Sequence, residues 1–357
     1  MLFNRSEIAV RPAKQGWHWS VWGAQLLVLM CLVTGAVAQE DLPPRTSTPP
    51  PDKIQAEPNP PAQDAAQQGD DKDASSDGFV FKTKVTEIVL HAIVVDPQNR
   101  LITGLPRESF QVLEDGKAQK LTSFRKEQVP IALGILIDNS SSMYPKREKV
   151  NEAALQLVNA SKSEDQVFIV NFGDDAFLDQ DYTQDVGKLK AALERVETGG
   201  STALFDAIIG ATDHLVQTSN LPKKILLAIT DGHDNASQAT FQQTLRKLQQ
   251  KDGPVLYTIA LANEGRDDSD RQALTALSEQ TGGTAFFPAT IADIQSIATT
   301  IAQDIRSQYV IGYHSSNSHT PGAYHAIQVQ AVEGTTPFRV QTRTGYYASA
   351  SGDPIIQ

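Results

Sequence analysis

Asp138, Ser140 and Ser142 stand at alternate positions directly after the apolar run IALGILI, in the stretch IALGILIDNSSSM. Two further polar clusters sit at comparable boundaries. Gly199-Gly200-Ser201-Thr202 precedes the apolar segment ALFDAIIGATDHLV, and Thr230-Asp231-Gly232 ends the run KKILLAITD. Brought together, Asp138, Ser140, Ser142, Thr202 and Asp231 would offer three hydroxyls and two carboxylates, all hard oxygen donors. Such a set suits Mg2+ or Mn2+ rather than zinc or copper. In extended chain, residues two apart face the same way, so Asp138, Ser140 and Ser142 could address one ion. Simple capping is the plainer alternative, because Ser and Asp also favour helix starts.

These clusters need elements to hold them. From residue 131 onward, strand-length apolar runs (IALGILID, DQVFIVNFG, KKILLAITD, PVLYTIALA) alternate with amphipathic stretches of helix length. The latter include PKREKVNEAALQLVNAS, QATFQQTLRKLQQ, DRQALTALSEQTG and IADIQSIATTIAQDI. In the first of these, Val150, Ala153, Ala154, Leu157 and Val158 share one stripe, and Pro145 suits the first turn. Unbroken apolar strands alternating with helices imply a parallel sheet covered on both faces. Ligands of such sheets bind at the carboxyl ends of the strands, where all three clusters fall.

The pattern D-x-S-x-S, then Thr after a Gly-Gly turn, then Thr-Asp-Gly at a later strand end resembles the metal-ion-dependent adhesion site of von Willebrand factor A domains. The resemblance spans residues 131–305. It implies that Ser140, Ser142 and Thr202 bind the ion directly, that Asp138 and Asp231 hold it through waters, and that a partner's Asp or Glu fills the remaining position. It also implies a doubly wound, mostly parallel α/β sheet flanked by helices, with one short antiparallel edge strand, for which DDAFLDQDY is the candidate. A wider resemblance, carried by LITGLPRESFQVLEDGKAQKLTSF, QYVIGYH and TRTGYY, is to a bacterial secreted family of von Willebrand factor A-related proteins.

Outside that block the pattern is β. TKVTEIVLHAIVVD is followed by a Pro-Gln-Asn turn, and Asp115-Gly116 joins two alternating runs as a hairpin. After residue 308, SQYVIGYHS, AYHAIQVQAV and PFRVQTRTGYYA are separated by turn residues. Each flanking piece is too small to bury a core alone, so the two are expected to meet as one small β-sandwich.

Other polar residues read more plainly. Asp206 is either a supporting carboxylate near the ion or a solvated helical one, and His233 and Asp234 read as loop filler, with contact to a partner as the alternative. His314, His319 and His325 match no metal spacing and read as exposed hairpin histidines. Asp267, Asp268, Ser269 and Asp270 read as the cap of a helix starting near Arg271, and Phe286-Phe287 and Tyr346-Tyr347 as packing residues. The chain holds no P-loop, G-x-G-x-x-G, H-E-x-x-H or G-x-S-x-G. Asp138 lacks the second carboxylate two residues on that would suit a phosphotransfer nucleophile. The expected mechanism is therefore binding without catalysis.

The 357 residues carry a formal net charge of −11, which argues against a nucleic-acid binder. Arg5, Arg11 and Lys14 precede an apolar run over residues 21–33 and the small-x-small pattern Ala36-Val37-Ala38, the layout of a secretory signal peptide. If retained, residues 21–38 are nearly long enough to anchor the chain in a bilayer. Removal of residues 1–38 takes Arg5, Arg11, Lys14 and Glu7, a net +2, and so leaves −13. It also removes Cys31, the only cysteine, leaving neither disulfide nor thiol chemistry. The expected organisation is a signal peptide over 1–38, a disordered Pro-rich linker over 39–78, a β unit over 79–129, the A-type domain over 130–306, β-strands over 307–348 and a tail over 349–357. The whole reads as an exported protein, secreted or held in the cell envelope, that grips an acidic protein partner through a divalent ion. A structural envelope protein with a merely stabilising ion is the alternative, followed by a metal-dependent hydrolase.

Overall fold

The computed structural model describes residues 87–126, 129–195, 198–261, 268–317 and 320–349, all within one compact unit. The expected signal peptide, the whole expected linker and all of the expected tail but residue 349 lie outside the described residues. None of the described helices is long and apolar enough to cross a membrane.

In chain order the elements begin with strands β1 (Ile88–Val95), β2 (Phe110–Glu114), β3 (Lys117–Gln119), β4 (Leu121–Arg125) and β5 (Ile131–Asp138). Then come helix α1 (Arg147–Asn159), strands β6 (Gln166–Phe172) and β7 (Ala176–Thr183), and helices α2 (Val186–Arg195) and α3 (Leu204–Thr218). They are followed by β8 (Lys223–Thr230), α4 (Phe241–Leu248), β9 (Val255–Ala260), α5 (Asp268–Thr281), β10 (Ala285–Phe286) and α6 (Ile294–Arg306). The chain returns to β structure in β11 (Tyr309–Tyr313), β12 (Tyr324–Glu333), β13 (Thr336–Gln341) and β14 (Gly345–Tyr347).

The central sheet has the order β10-β9-β8-β5-β6-β7. Every pairing is parallel except β6–β7, so AFLDQDYT is the antiparallel edge strand. All eight residues of β5 are buried, because the strand is covered on both faces. Ile131, Leu133, Ile135 and Ile137 pack with residues of α1, α2 and α6, whereas Ala132 and Leu136 pack with those of α3, α4 and α5. That alternation is the period-two geometry of a strand. Gly134 faces the second layer, where a Cβ would stand 2.4 Å from Phe168 Cζ, so the missing side chain makes room for the Phe168 ring.

Three local findings differ from expectation. Helix α2 was not among the expected helices; its stripe Leu189, Ala192 and Leu193 is buried against the α1 layer. The predicted start of α1 at Pro145 is instead a 3-10 turn over Ser141–Lys146 that contains Pro145. Helix α5 begins at Asp268, so Asp268 and Asp270 belong to its first turn rather than preceding it, and Asp267 lies outside the described residues.

The flanking strands form a second sheet in the order β3-β2-β12-β13-β1-β11-β4, with β14 pairing β12. Strand β1 is its corner: residues 88–92 pair with β11 and residues 93–95 with β13. Phe110 on β2 lies 4.8 Å from Tyr309 on β11 and 5.3 Å from Phe124 on β4, centroid to centroid. Laid flat, β2 and β11 would be four strand spacings apart, roughly 19 Å. The sheet therefore folds over itself and encloses its own core of Leu90, Val94, Val112, Ile311, Tyr313 and Tyr346. N- and C-terminal strands alternate in one sheet, as the small size of each piece requires.

Asp165 fastens the end of α6 to the base of the central sheet. Its carboxylate accepts Ile131 N at 3.0 Å and Lys162 N at 2.7 Å and pairs with Arg306.

Candidate metal centre

Parallel pairing alone sets two carboxylates side by side. Ile137 is in register with Ile229, so Asp138 and the Thr230-Asp231 pair emerge together at the carboxyl ends of adjacent strands. The chain leaves β5 for β6 on one side, and β8 lies on the other, so this is the switch point of the sheet.

Asp138 is fully buried, and its oxygens are taken by its surroundings: Oδ1 accepts Ser140 N at 2.8 Å and Oδ2 accepts the Thr230 hydroxyl at 2.6 Å. Burial pushes its carboxyl above the usual range despite these bonds. Ser140 has extended backbone and is 4 % exposed. Ser142 lies within the 3-10 turn, so the simple alternation argued from extended chain holds from Asp138 to Ser140 only. The turn still returns the Ser142 hydroxyl to the site. It lies 3.1 Å from the Ser140 hydroxyl and donates to Asp231 Oδ1 at 2.7 Å. Asp231 is itself fully buried, while Ser142 is exposed, so the cluster opens outward at that serine.

Thr202 reaches the same place from the loop before α3. A Cβ added to Gly232 would sit 2.8 Å from Thr202 Oγ1 and 3.5 Å from Asp138 Oδ2. The glycine thus preserves a space rimmed by the threonine hydroxyl and a buried carboxylate. The loop is gripped from several sides. Gly199 N donates to Asn139 O at 2.7 Å, and Ala203 N to Gly173 O at 2.7 Å. Ser201 N donates to Asp174 Oδ1 at 2.8 Å, and Gly200 adopts φ 80°, where a Cβ would come within 2.5 Å of Asp174 Oδ2. A left-handed glycine is therefore needed here.

All five residues singled out in the sequence lie in these three adjoining turns. The donor set fits a hard divalent cation, since hydroxyl and carboxylate oxygens from Ser140, Ser142, Thr202 and Asp231 border one outward-opening space. An internal cation already marks the spot: the Lys146 ammonium pairs with Asp231 Oδ2.

Several supporting residues were not recognisable from spacing. Asn235 clamps Thr202, accepting its N–H at 2.9 Å through Oδ1 and donating its own N–H to Thr202 O at 3.1 Å. Asp234 is not loop filler: it accepts Phe205 N at 2.8 Å and the Ser237 hydroxyl at 2.7 Å, satisfying the first turn of α3. Asp206 accepts Gln238 N at 2.8 Å and Ala239 N at 3.0 Å, so it secures the following loop instead of standing solvated. His233 pairs with Asp270 of α5.

His325 is not the exposed hairpin histidine that the sequence suggests. It is 5 % exposed, not at a free hairpin surface, and its Nδ1 lies 2.8 Å from Asp115 Oδ2. With Glu114 and Asp115 it makes a compact group of metal-ligating types. Glu114, however, already accepts the Tyr313 hydroxyl at 2.6 Å, Asn317 Nδ2 at 3.0 Å and the Ser315 hydroxyl. This group is a hydrogen-bond network, buried at Glu114 and His325 and exposed at Asp115, that joins the β2–β3 hairpin to β11 and β12. His314 is half-buried, and His319 lies outside the described residues.

Residues 133–233 match the sequence profile of the von Willebrand factor type A domain. No curated protein sequence matches the chain. Among solved structures, similarity is found to the vWF domain of the type V pili tip protein Mfa5 from Porphyromonas gingivalis, at 12 % identity and a TM-score of 0.42, covering 50 % of this chain and 95 % of that one. A von Willebrand factor type A protein from Catenulispora acidiphila gives 12 % identity and a TM-score of 0.43, covering 71 % and 78 %. Proximal thread matrix protein 1 from the mussel byssus, with a zinc-occupied MIDAS motif, gives 18 % identity and a TM-score of 0.45; the chain spans about half of that protein, 49 %, with 54 % of its own length. The profile match over β5 to the loop after β8, together with a mixed sheet covered by helices on both faces, establishes that this chain carries a von Willebrand factor type A domain.

Proposed function

We propose that the protein is exported and uses its A-type domain, over residues 130–306, to bind a divalent cation and, through it, a protein partner. The observation that carries this reading is the outward-opening cluster in which the Ser142 hydroxyl meets both Ser140 and the buried Asp231. Mg2+ or Mn2+ suits the oxygen-only donors best. A bound ion would supply an electrophilic position for an oxygen of the partner.

The chain's own residues do the rest. Ser140, Ser142 and Thr202 present neutral hydroxyls to the ion, so they leave much of its charge for an incoming carboxylate. Asp138 and Asp231 supply the compensating negative charge from buried positions. An Asp or Glu of the partner matches this arrangement. On an acidic chain of net −11, the site would be a local exception to repulsion of acidic partners. Tyr144, 77 % exposed and two residues beyond Ser142, and Phe177, 63 % exposed, supply apolar contact area on the domain's surface. A-type domains are typically non-catalytic adhesion or structural modules, and no base or nucleophile is required by this mechanism.

The test is a magnesium-dependent pull-down from an envelope fraction with the full chain as bait and Thr202→Ala as control. Adhesion predicts that Thr202→Ala stays folded and loses the partner. A purely stabilising ion predicts a marked fall in Tm for the same variant and retained capture.

A further inference from the structure

We propose that Lys146 is a resident counter-cation of the metal centre, an ammonium that pairs with Asp231 and must leave it before a divalent ion is fully bound. The inference rests on the metal reading above and adds its regulation.

Three observations lead to it. First, the Lys146 ammonium pairs directly with Asp231 Oδ2, on the carboxylate whose other oxygen accepts the Ser142 hydroxyl. Asp231 is thus shared between the ion's hydroxyl set and an internal cation. Second, the side chain of Asp231 is fully buried, whereas that of Lys146 is 20 % exposed. The carboxylate cannot turn away, but the lysine has a route to solvent. Third, Lys146 closes the same 3-10 turn that carries Ser142, four residues earlier. Ligand and competitor therefore move on one short segment.

Charge balance gives the device its direction. Asp138 and Asp231 are buried neighbours: Asp138 is bonded to Thr230 and Ser140 and feels the charge of the Arg147 guanidinium, whereas Asp231 is paired directly with Lys146. Lys146 offsets one of the two negative charges in the absence of an ion. A divalent ion offsets both, and the ammonium left beside it would then be a like charge at close range, which low-dielectric surroundings amplify. Ion and ammonium exclude one another. Because the competitor is tethered, its local concentration is high, and the apparent affinity for free ion falls in proportion to the time the ammonium occupies the site. The site would then load only where the divalent ion is plentiful, or where a partner's carboxylate adds to the attraction on the ion.

The experiment titrates Mg2+, then Mn2+, into the full chain and into Lys146→Met and Lys146→Gln by calorimetry, with Tm measured in chelator and in excess Mg2+. Lys146→Gln keeps a donor for Asp231 Oδ2 and guards against a folding failure of Lys146→Met. The expected result is tighter Mg2+ binding by about tenfold in both variants, with a lower Tm in chelator that excess Mg2+ restores. Binding of equal strength in all three proteins would overturn the competition while leaving the metal centre standing. No uptake by any of the three would remove the metal centre and, with it, this role for Lys146.

Discussion

Ser142 and Asp231 stand 89 positions apart in the chain, yet the serine hydroxyl donates to Asp231 Oδ1 at 2.7 Å. That single bond joins the turn after β5 to the end of β8, and both sides of it are donors in the proposed metal centre. Asp138, Ser140 and Thr202 complete the proposed set around those two turns.

Gly232 is the most economical place to test the shape of that space. Its backbone does not require glycine, so Gly232→Ala should fold, but its Cβ would meet Thr202 Oγ1 at 2.8 Å. We predict a stability loss of about 1–3 kcal/mol and Mg2+ affinity weaker by at least about tenfold, a 1.4 kcal/mol difference. Urea denaturation and calorimetry read the two effects separately. Unchanged Mg2+ affinity would show that Thr202 does not border the ion.

Asp304 gives a pH signature far from the site in sequence. Burial raises its carboxyl from 3.8 to about 6. A folded-state value above the unfolded one means stability that is fully present below about pH 4 and is lost as pH rises through 6. Asp304→Asn should therefore match the parent protein at pH 4 and exceed it at pH 8 by up to about 2 kcal/mol, reduced from the full linkage value because the group is partly exposed. Thermal unfolding at the two pH values checks this, and equal Tm values at pH 8 would contradict it.

The Asp165–Arg306 pair behaves in the opposite sense. Burial pushes the Asp165 carboxyl up, but Arg306 and the Lys162 and Ile131 amides outweigh it and hold it below the ordinary range. Its contribution is present above the unfolded carboxylate value and is lost as pH falls through the lower folded one. Arg306→Ala strands a buried carboxylate and should cost about 3 kcal/mol; Asp165→Asn with Arg306→Met should cost less. Urea midpoints of the single and double variants decide it, and a near-neutral Arg306→Ala would contradict the assignment.

The partner surface can be separated from the ion. Tyr144→Ala and Phe177→Ala alter exposed side chains, so each should leave Mg2+ uptake and Tm unchanged while weakening partner capture by about tenfold. Capture at full strength by both variants would place the partner elsewhere.

Periodicity made the central sheet legible. Unbroken runs such as IALGILID, too short for helices and alternating with amphipathic stretches, read as strands covered on both faces, and parallel strands bring their carboxyl ends to one rim. Asp138, Ser140, Ser142, Thr202 and Asp231 could be named because each follows a run or a Gly-Gly turn that marks such an end. Contacts between turns were not legible. Nothing in local spacing shows that Asn235 clamps Thr202, that Asp174 demands a left-handed Gly200, or that Lys146 reaches Asp231. His325 looked exposed because its neighbours are turn residues, but it sits on β12 facing the folded-over sheet, where Glu114 and Asp115 receive it. Helix α2 went unrecognised because its apolar stripe is only three residues deep.

The central claim is that these three turns take up a divalent cation. Calorimetric titration of Mg2+ into the chelator-treated full chain and into Thr202→Ala tests it most directly. The account predicts saturable uptake of a single ion by the parent protein and affinity lower by at least about tenfold in the variant. No uptake by the parent protein, or identical uptake by both, would contradict it.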